Sequence, residues 1–263
     1  AHGEIHRDGH PAHPCRERYF FLNGKCTPSG VCCSWNAALS QRLASYNNTD
    51  VIELYTWPTP NGRKISIALE ELGLEYTAHS IDITKGEQRD PKFLAISPNS
   101  KIPAIVDTEN SRSLMESGAI LLYLAEKCGQ LIPKDAARRW EAIEWVMWQM
   151  GGPGPILGQI HHFVKFNPGK SSYAEERYLT EGKRLYGVLD KRLQDLEFVV
   201  GEYSIADIAI WPWISRFNWQ TIDITQYPNV TRWYLSVAAR SAVQRGYHVP
   251  RKVNEIPMPG SSE

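Results

Sequence analysis

The chain has 263 residues, 42% of them hydrophobic and 22% charged, a balance that can bury a core and excludes a wholly disordered polypeptide. Twenty-nine basic residues offset twenty-nine acidic ones, which argues against a protein whose main task is to coat nucleic acid or an anionic membrane. No apolar run reaches the roughly 18–20 residues of a spanning helix, and nine Trp with twelve Tyr point to large aromatic packing surfaces.

Residues 1–50 differ from the rest. Cys15, Cys26, Cys32 and Cys33 cluster there with His2, His6, His10 and His13. Three readings are open: a small disulfide knot, a metal-binding segment, or a flexible extension. The segment has no charged-then-apolar leader of its own, and the missing initiator methionine points to processing. The polar run 46–50 reads as a hinge.

From residue 51 the pattern is that of a packed domain. Residues 51–57 alternate as a strand, and Pro58 to Gly62 form a turn cluster. From Arg63 a helix is expected, with Ile65, Ala68, Leu69 and Leu72 on one face and Gly73 as its stop. Residues 75–81 return to strand character, which completes a β-α-β unit. A short helix is expected at 90–94. A third strand at 101–107 has Pro103 at its mouth, where a missing N–H is tolerated and a cis bond is possible. A fourth strand covers 112–115, and a helix over 117–127 ends at Gly129. Residues 131–135 read as a linker. Helical periods then dominate: 140–150, stopped by the Gly-Gly-Pro-Gly-Pro run at 151–155; 172–196, with Tyr178, Leu185, Leu189 and Leu193 as its stripe; a helix opened by Ser204 and Asp207 as a capping box, which Pro212 should bend or interrupt; and a last helix at 230–239. Trp140, Trp145 and Trp148 read as packing between helices.

This order is the plan of an α/β thioredoxin-like domain followed by an all-α domain. Several motifs carry a more particular resemblance: Pro-Thr-Pro-Asn-Gly at 58–62, Lys-Gly-Glu-Gln at 85–88, Ile-Ser-Pro-Asn-Ser-Lys-Ile-Pro-Ala-Ile at 96–105, Glu-Ser-Gly-Ala-Ile-Leu-Leu-Tyr-Leu at 116–124 and Tyr-Ser-Ile-Ala-Asp-Ile-Ala at 203–209. Residues 51–249 resemble the cytosolic glutathione transferases. With the runs at 151–155 and 158–163 they are most similar to the bacterial Nu class, the glutathione-dependent disulfide-bond reductases, and also resemble the fungal transferase-like nitrogen regulator. The resemblance implies the glutathione transferase fold, with an extension at 1–50, a glutathione-binding domain at 51–131, a helical domain at 136–250 and a tail at 251–263. It implies a cytoplasmic homodimer that uses reduced or oxidised glutathione as substrate and acts on small disulfides or electrophiles. No tightly bound cofactor, metal, nucleic acid or membrane is expected. A non-catalytic glutathione-binding regulator on the same fold is the alternative.

Glutathione offers two carboxylates, an amine and a thiol, and the residues can be matched to them. Ile102, before Pro103, presents a backbone edge for strand-like pairing with the ligand. Ser117 opens a helix whose N–H groups and hydroxyl suit the γ-glutamyl carboxylate, and Glu116 can accept from the ligand's ammonium. Gln88 and Lys101 are candidates for the glycyl end, against a bland reading as solvated loop residues. The turn after the first strand holds no cysteine, so a C-x-x-C or mixed-disulfide mechanism there is excluded and the reacting thiolate must be the substrate's. Thr59 and Asn61 are the candidates to favour that thiolate, although both also suit helix capping. Tyr55 is a weaker rival. By resemblance, Arg177 reaches a glutathione carboxylate. Cys128 reads as a buried small side chain, and His161 and His162 as structural, since neighbours on a helix point about 100° apart.

The fold so inferred needs nothing before residue 51. Removal of residues 1–48 is therefore expected to leave the melting transition and glutathione-dependent turnover intact, as calorimetry and an activity assay on the truncated chain will show.

Overall fold

The computed structural model describes residues 51–260. The cysteine- and histidine-rich segment, with its disulfide, metal and flexible readings, lies outside the described residues.

Four strands form one mixed sheet in the order β2-β1-β3-β4. Strand β1 (Ile52–Thr56) buries Ile52, Leu54 and Thr56, the alternation expected of a half-buried strand. Helix α1 (Pro60–Leu72) follows and begins earlier than the sequence pattern indicates. Thr59 caps it, Pro60 takes the first helical position, where no N–H is needed, and Asn61 therefore lies inside the first helical turn. Gly73 ends the helix in the left-handed region, at φ 60°. Strand β2 (Tyr76–Ser80) pairs in parallel with β1. Helix α2 (Pro91–Leu94), capped by Asp90, leads to β3 (Ala104–Asp107), which is antiparallel to β1. Strand β4 (Arg112–Met115) pairs antiparallel with β3 and runs into α3 (Ser117–Cys128), which Gly129 ends. This is the thioredoxin-like half.

The helical half begins at α4 (Ala136–Gly151), capped by Asp135 and one turn longer at its start than the apolar period suggests. The glycine–proline run that stops α4 also starts α5 (Pro153–Ile160), because Pro153 fits the first helical position. Residues His161–Phe166 continue as a π-helical turn. Helix α6 (Ser172–Arg192) and helix α7 (Ile205–Ile214) follow. Pro212 does not interrupt α7, which continues through it to Ile214 at the loss of one intrahelical bond, to the Ile208 carbonyl. After α8 (Pro228–Ala238) a further helix, α9 (Ser241–Tyr247), was not legible in the sequence, being only seven residues long and containing Gly246. That glycine is required: a Cβ there would sit 2.7 Å from the Ile67 backbone. Of the tryptophans on α4, Trp145 and Trp148 pack edge to face at 4.8 Å, but Trp140 is exposed and stands outside the core. Among the described residues no helix is long and apolar enough to cross a membrane.

The core runs continuously from the sheet into the helical half through α7, all ten of whose residues are buried. Its start is the capping box the sequence announced. Ser204 Oγ accepts from the Ala206 N–H at 3.2 Å, and Asp207 accepts from the Ser204 N–H at 3.0 Å. Asp207 also accepts from the Val199 N–H at 3.0 Å and from Trp233 Nε1 at 2.8 Å, tying α7 to the preceding loop and to α8. Burial raises its pKa to about 6 although these donors pull it down. Asp207→Ala leaves buried donors unpaired and is expected to cost about 3 kcal/mol, read as a lowered denaturant midpoint with an unchanged slope.

Candidate active site

Strand pairing brings separate parts of the chain to one end of the sheet. Tyr55 of β1 pairs with Ala104 of β3, and Ala104 pairs with Met115 of β4. The residues just beyond, Trp57 to Asn61, Lys101 to Pro103, and Glu116 with Ser117, therefore meet at that end. The 97–101 loop is laced into the same rim. Ser97 Oγ donates to the Lys101 carbonyl at 2.8 Å, Asn99 Nδ2 to Glu116 Oε1 at 3.2 Å, and Ser100 Oγ to the Gln88 carbonyl at 2.8 Å. The Ile102–Pro103 bond is cis.

At the turn, Thr59 Oγ1 accepts from the Gly62 N–H at 3.2 Å. Its hydroxyl hydrogen is not used in that bond and can be donated outward. Gly62 is fixed by close approach, since a Cβ would lie 2.2 Å from the Trp57 carbonyl oxygen. Asn61 Oδ1 accepts from Trp213 Nε1 at 3.0 Å. With its oxygen held by the helical half, the Asn61 amide presents donors, the polarity that favours a thiolate over a thiol. Arg216 adds positive charge behind the turn, its Nη2 donating to the Pro58 carbonyl at 3.4 Å. His161 stacks on Trp213 with centroids 5.8 Å apart, and burial with Arg216 nearby pushes its pKa down to about 4, so it is neutral.

At α3, Glu116 is exposed with φ 69°, and Ser117 is buried. Ser117 Oγ accepts from Lys64 Nζ at 3.1 Å. Seven of the eight expected site residues, Thr59, Asn61, Gln88, Lys101, Ile102, Glu116 and Ser117, thus belong to one rim. Arg177 is exposed on α6, where its charge acts on Glu181, and it makes no hydrogen bond to the other seven. Tyr55 stacks on its cross-strand neighbour His79 at 4.7 Å, and burial raises its hydroxyl pKa. Cys128 is buried at the far end of α3. Among the described residues no three His, Cys, Asp or Glu side chains gather as a metal site. Sequence reasoning missed Lys64, Trp213 and Arg216, because their positions at the rim follow from the docking of the helical half onto α1 and from no local pattern.

Residues 50–126 match the family model "Glutathione S-transferase, N-terminal domain" and residues 155–241 match "Glutathione S-transferase, C-terminal domain". The chain belongs to the glutathione S-transferase family. It is 50% identical over 198 residues to the disulfide-bond oxidoreductase YfcG of Escherichia coli, covering 73% of this chain and 92% of that protein. To the disulfide-bond oxidoreductase YghU of the same organism it is 43% identical over 216 residues, covering 76% and 75%. Among solved structures, a glutathione transferase from Burkholderia graminis, with two glutathione molecules bound per subunit, superposes with a TM-score of 0.74 at 42% identity. That match covers 86% of this chain and 99% of the other.

The two parts of the rim are expected to separate in mutants. Ser117→Ala is expected to weaken glutathione binding by about 0.5–2 kcal/mol and to leave saturated turnover nearly unchanged. Thr59→Ala and Asn61→Ala are expected to lower kcat and barely alter binding. Steady-state kinetics with a binding isotherm for each variant distinguishes the two effects.

Proposed function

We propose that this chain is a glutathione-dependent disulfide-bond reductase. The single observation that carries the reading is a helix N-terminus with donors at Thr59 and Asn61 and no thiol of its own. The described thiol, Cys128, lies about 16 Å of helix away from Ser117. A site of this kind stabilises a thiolate that arrives with the substrate. In the proposed reaction one glutathione thiolate attacks a substrate disulfide, forms a new S–S bond and expels a substrate thiolate. A second glutathione thiolate attacks the glutathione sulfur of that mixed disulfide and expels the other substrate thiolate. Two glutathiones become one glutathione disulfide, their two protons pass to the two released thiolates, and two electrons move to the substrate. The relative with two glutathiones bound per subunit supports a site with room for both reactants.

Each residue takes one role in this reading. Thr59 and Asn61 donate to the reacting sulfur, Ile102 pairs with the cysteinyl backbone, Glu116 and Ser117 hold the γ-glutamyl head, and Gln88, Lys101 and Arg177 meet carboxylates. Conjugation and peroxide reduction are side activities that the same thiolate can support. The chain works as a homodimer in the cytoplasm; exposed Trp140 and Met147, two turns apart on α4, offer an apolar patch suited to a partner. The non-catalytic alternative has less support, since the two Escherichia coli relatives are named for oxidoreductase activity.

Turnover of a small disulfide with excess glutathione tests the proposal. Steady production of glutathione disulfide is expected; binding without turnover would favour the regulator. Replacing all five cysteines by serine is expected to retain most of this activity, with some stability lost at Cys128, where a hydroxyl becomes buried. Loss of activity in a folded, glutathione-binding variant would contradict a mechanism without protein thiols.

A further inference from the structure

Lys64 is fully buried on the inner face of α1. Its ammonium donates to Ser117 Oγ at 3.1 Å, to Gln149 Oε1, and to Met150 Sδ at 3.4 Å. All three partners are neutral. A buried cation normally takes a carboxylate as partner, because desolvation of an uncompensated charge is costly. Even partly exposed cations in this structure take carboxylates: Arg240 with Glu71, and Lys127 with Asp107.

The surroundings of Lys64 supply no such partner. From α3 it faces Ser117 and the field of Glu116, whose carboxylate accepts from Asn99 and is exposed. From α4 it faces neutral Gln149 and Met150. On the α7 side Asp207 is engaged by Val199, Ser204 and Trp233, and on the α9 side Arg245 pairs with Glu70. Arg63, next in the chain, bonds to the Tyr247 carbonyl and to Asn254.

We propose that Lys64 is a positioning residue whose charge is completed by the ligand: its ammonium holds the Ser117 oxygen, turns the Ser117 hydroxyl hydrogen toward the γ-glutamyl carboxylate, and takes that carboxylate as its missing counter-charge. This rests on the reading of Ser117 as the carboxylate site. The contacts fit it: Ser117 Oγ accepts from Lys64, and its own O–H points at Met150 Sδ at 3.5 Å, a weak acceptor that a carboxylate can displace. Paired with Glu116, the arrangement matches an α-amino acid head group, carboxylate on Ser117 with the Lys64 charge behind it, ammonium on Glu116.

The proposal has a thermodynamic signature. Without ligand, burial holds the Lys64 pKa down at about 7, with the more distant Glu116 opposing. A bound carboxylate favours the protonated form and raises it. The sign follows: near neutral pH the complex binds more protons than the free protein, so binding takes up a proton and affinity falls as pH rises through the free-state value.

The test uses the whole chain and S-methylglutathione, whose capped sulfur cannot ionise. Calorimetry at pH 7 in buffers of different ionisation enthalpy is expected to show uptake of about half a proton per site, with affinity falling about tenfold in all as the pH rises through the free and bound values. Lys64→Met, close in shape and uncharged, is expected to abolish the uptake and to bind about tenfold more weakly at pH 6, with the deficit shrinking toward pH 8.5. A merely structural lesion would instead weaken binding equally at every pH. Binding without proton uptake in the unmodified protein, or the same uptake in the variant, overturns the role of Lys64 alone. Should Lys64→Met not fold, the wild-type measurement still decides. Failure to bind S-methylglutathione at any pH would overturn the glutathione reading itself.

Discussion

Helix α1 is packed on all sides, and this constraint organises the rest of the molecule. Its start abuts the end of β1 so closely that only glycine fits at position 62. Its body meets α3 on one side and α7 and α9 on the others. A helix so placed cannot turn a polar face to water, so its polar side chains must find partners in other elements. Arg63 reaches the Tyr247 carbonyl and Asn254, Lys64 reaches Ser117 and Gln149, and Ser66 donates to the Gly246 carbonyl at 2.7 Å. Several of these bonds join the two halves of the protein, alongside the apolar core that they share. The residues after the last helix take part: the Arg251 guanidinium lies 4.5 Å above the Trp57 ring, beside the turn that carries Thr59.

Much of the fold was legible because local chemistry and global packing agree. Gly73 ends α1, and Ser204 with Asp207 opens α7. The differences have local causes as well. Thr59-Pro60 reads as a turn in isolation, yet the same two residues make an N-cap and a first helical position, so α1 begins three residues early. Pro153 ends one helix and starts another. Helix α9 is short and held by tertiary contact at Gly246, which leaves little periodic signal. Trp140 joined a tryptophan cluster in the sequence but faces outward in space.

The candidate site divides in the same way. Glu116, Ser117 and Ile102 could be read from sequence because a strand mouth and a helix start carry their own signatures. Lys64 could not, since a lysine on an expected helix reads as a solvated charge. Trp213 reads as core, and only the fold reveals that its indole N–H fixes the Asn61 amide. Long-range contacts of this kind, 152 residues apart in the chain, leave no trace in local composition.

The electrostatic character of the site follows from these contacts. Arg216 and the start of α1 place positive potential at the turn, and neutral His161 adds no charge to it. With no cysteine at the turn, the proposed use of this field is to lower the thiol pKa of bound glutathione. The most direct test is a pH titration of ultraviolet thiolate absorbance for glutathione bound to the protein. Ionisation is expected at least about one pH unit below that of free glutathione. A bound thiol that titrates at the same pH as the free tripeptide would contradict activation by the turn.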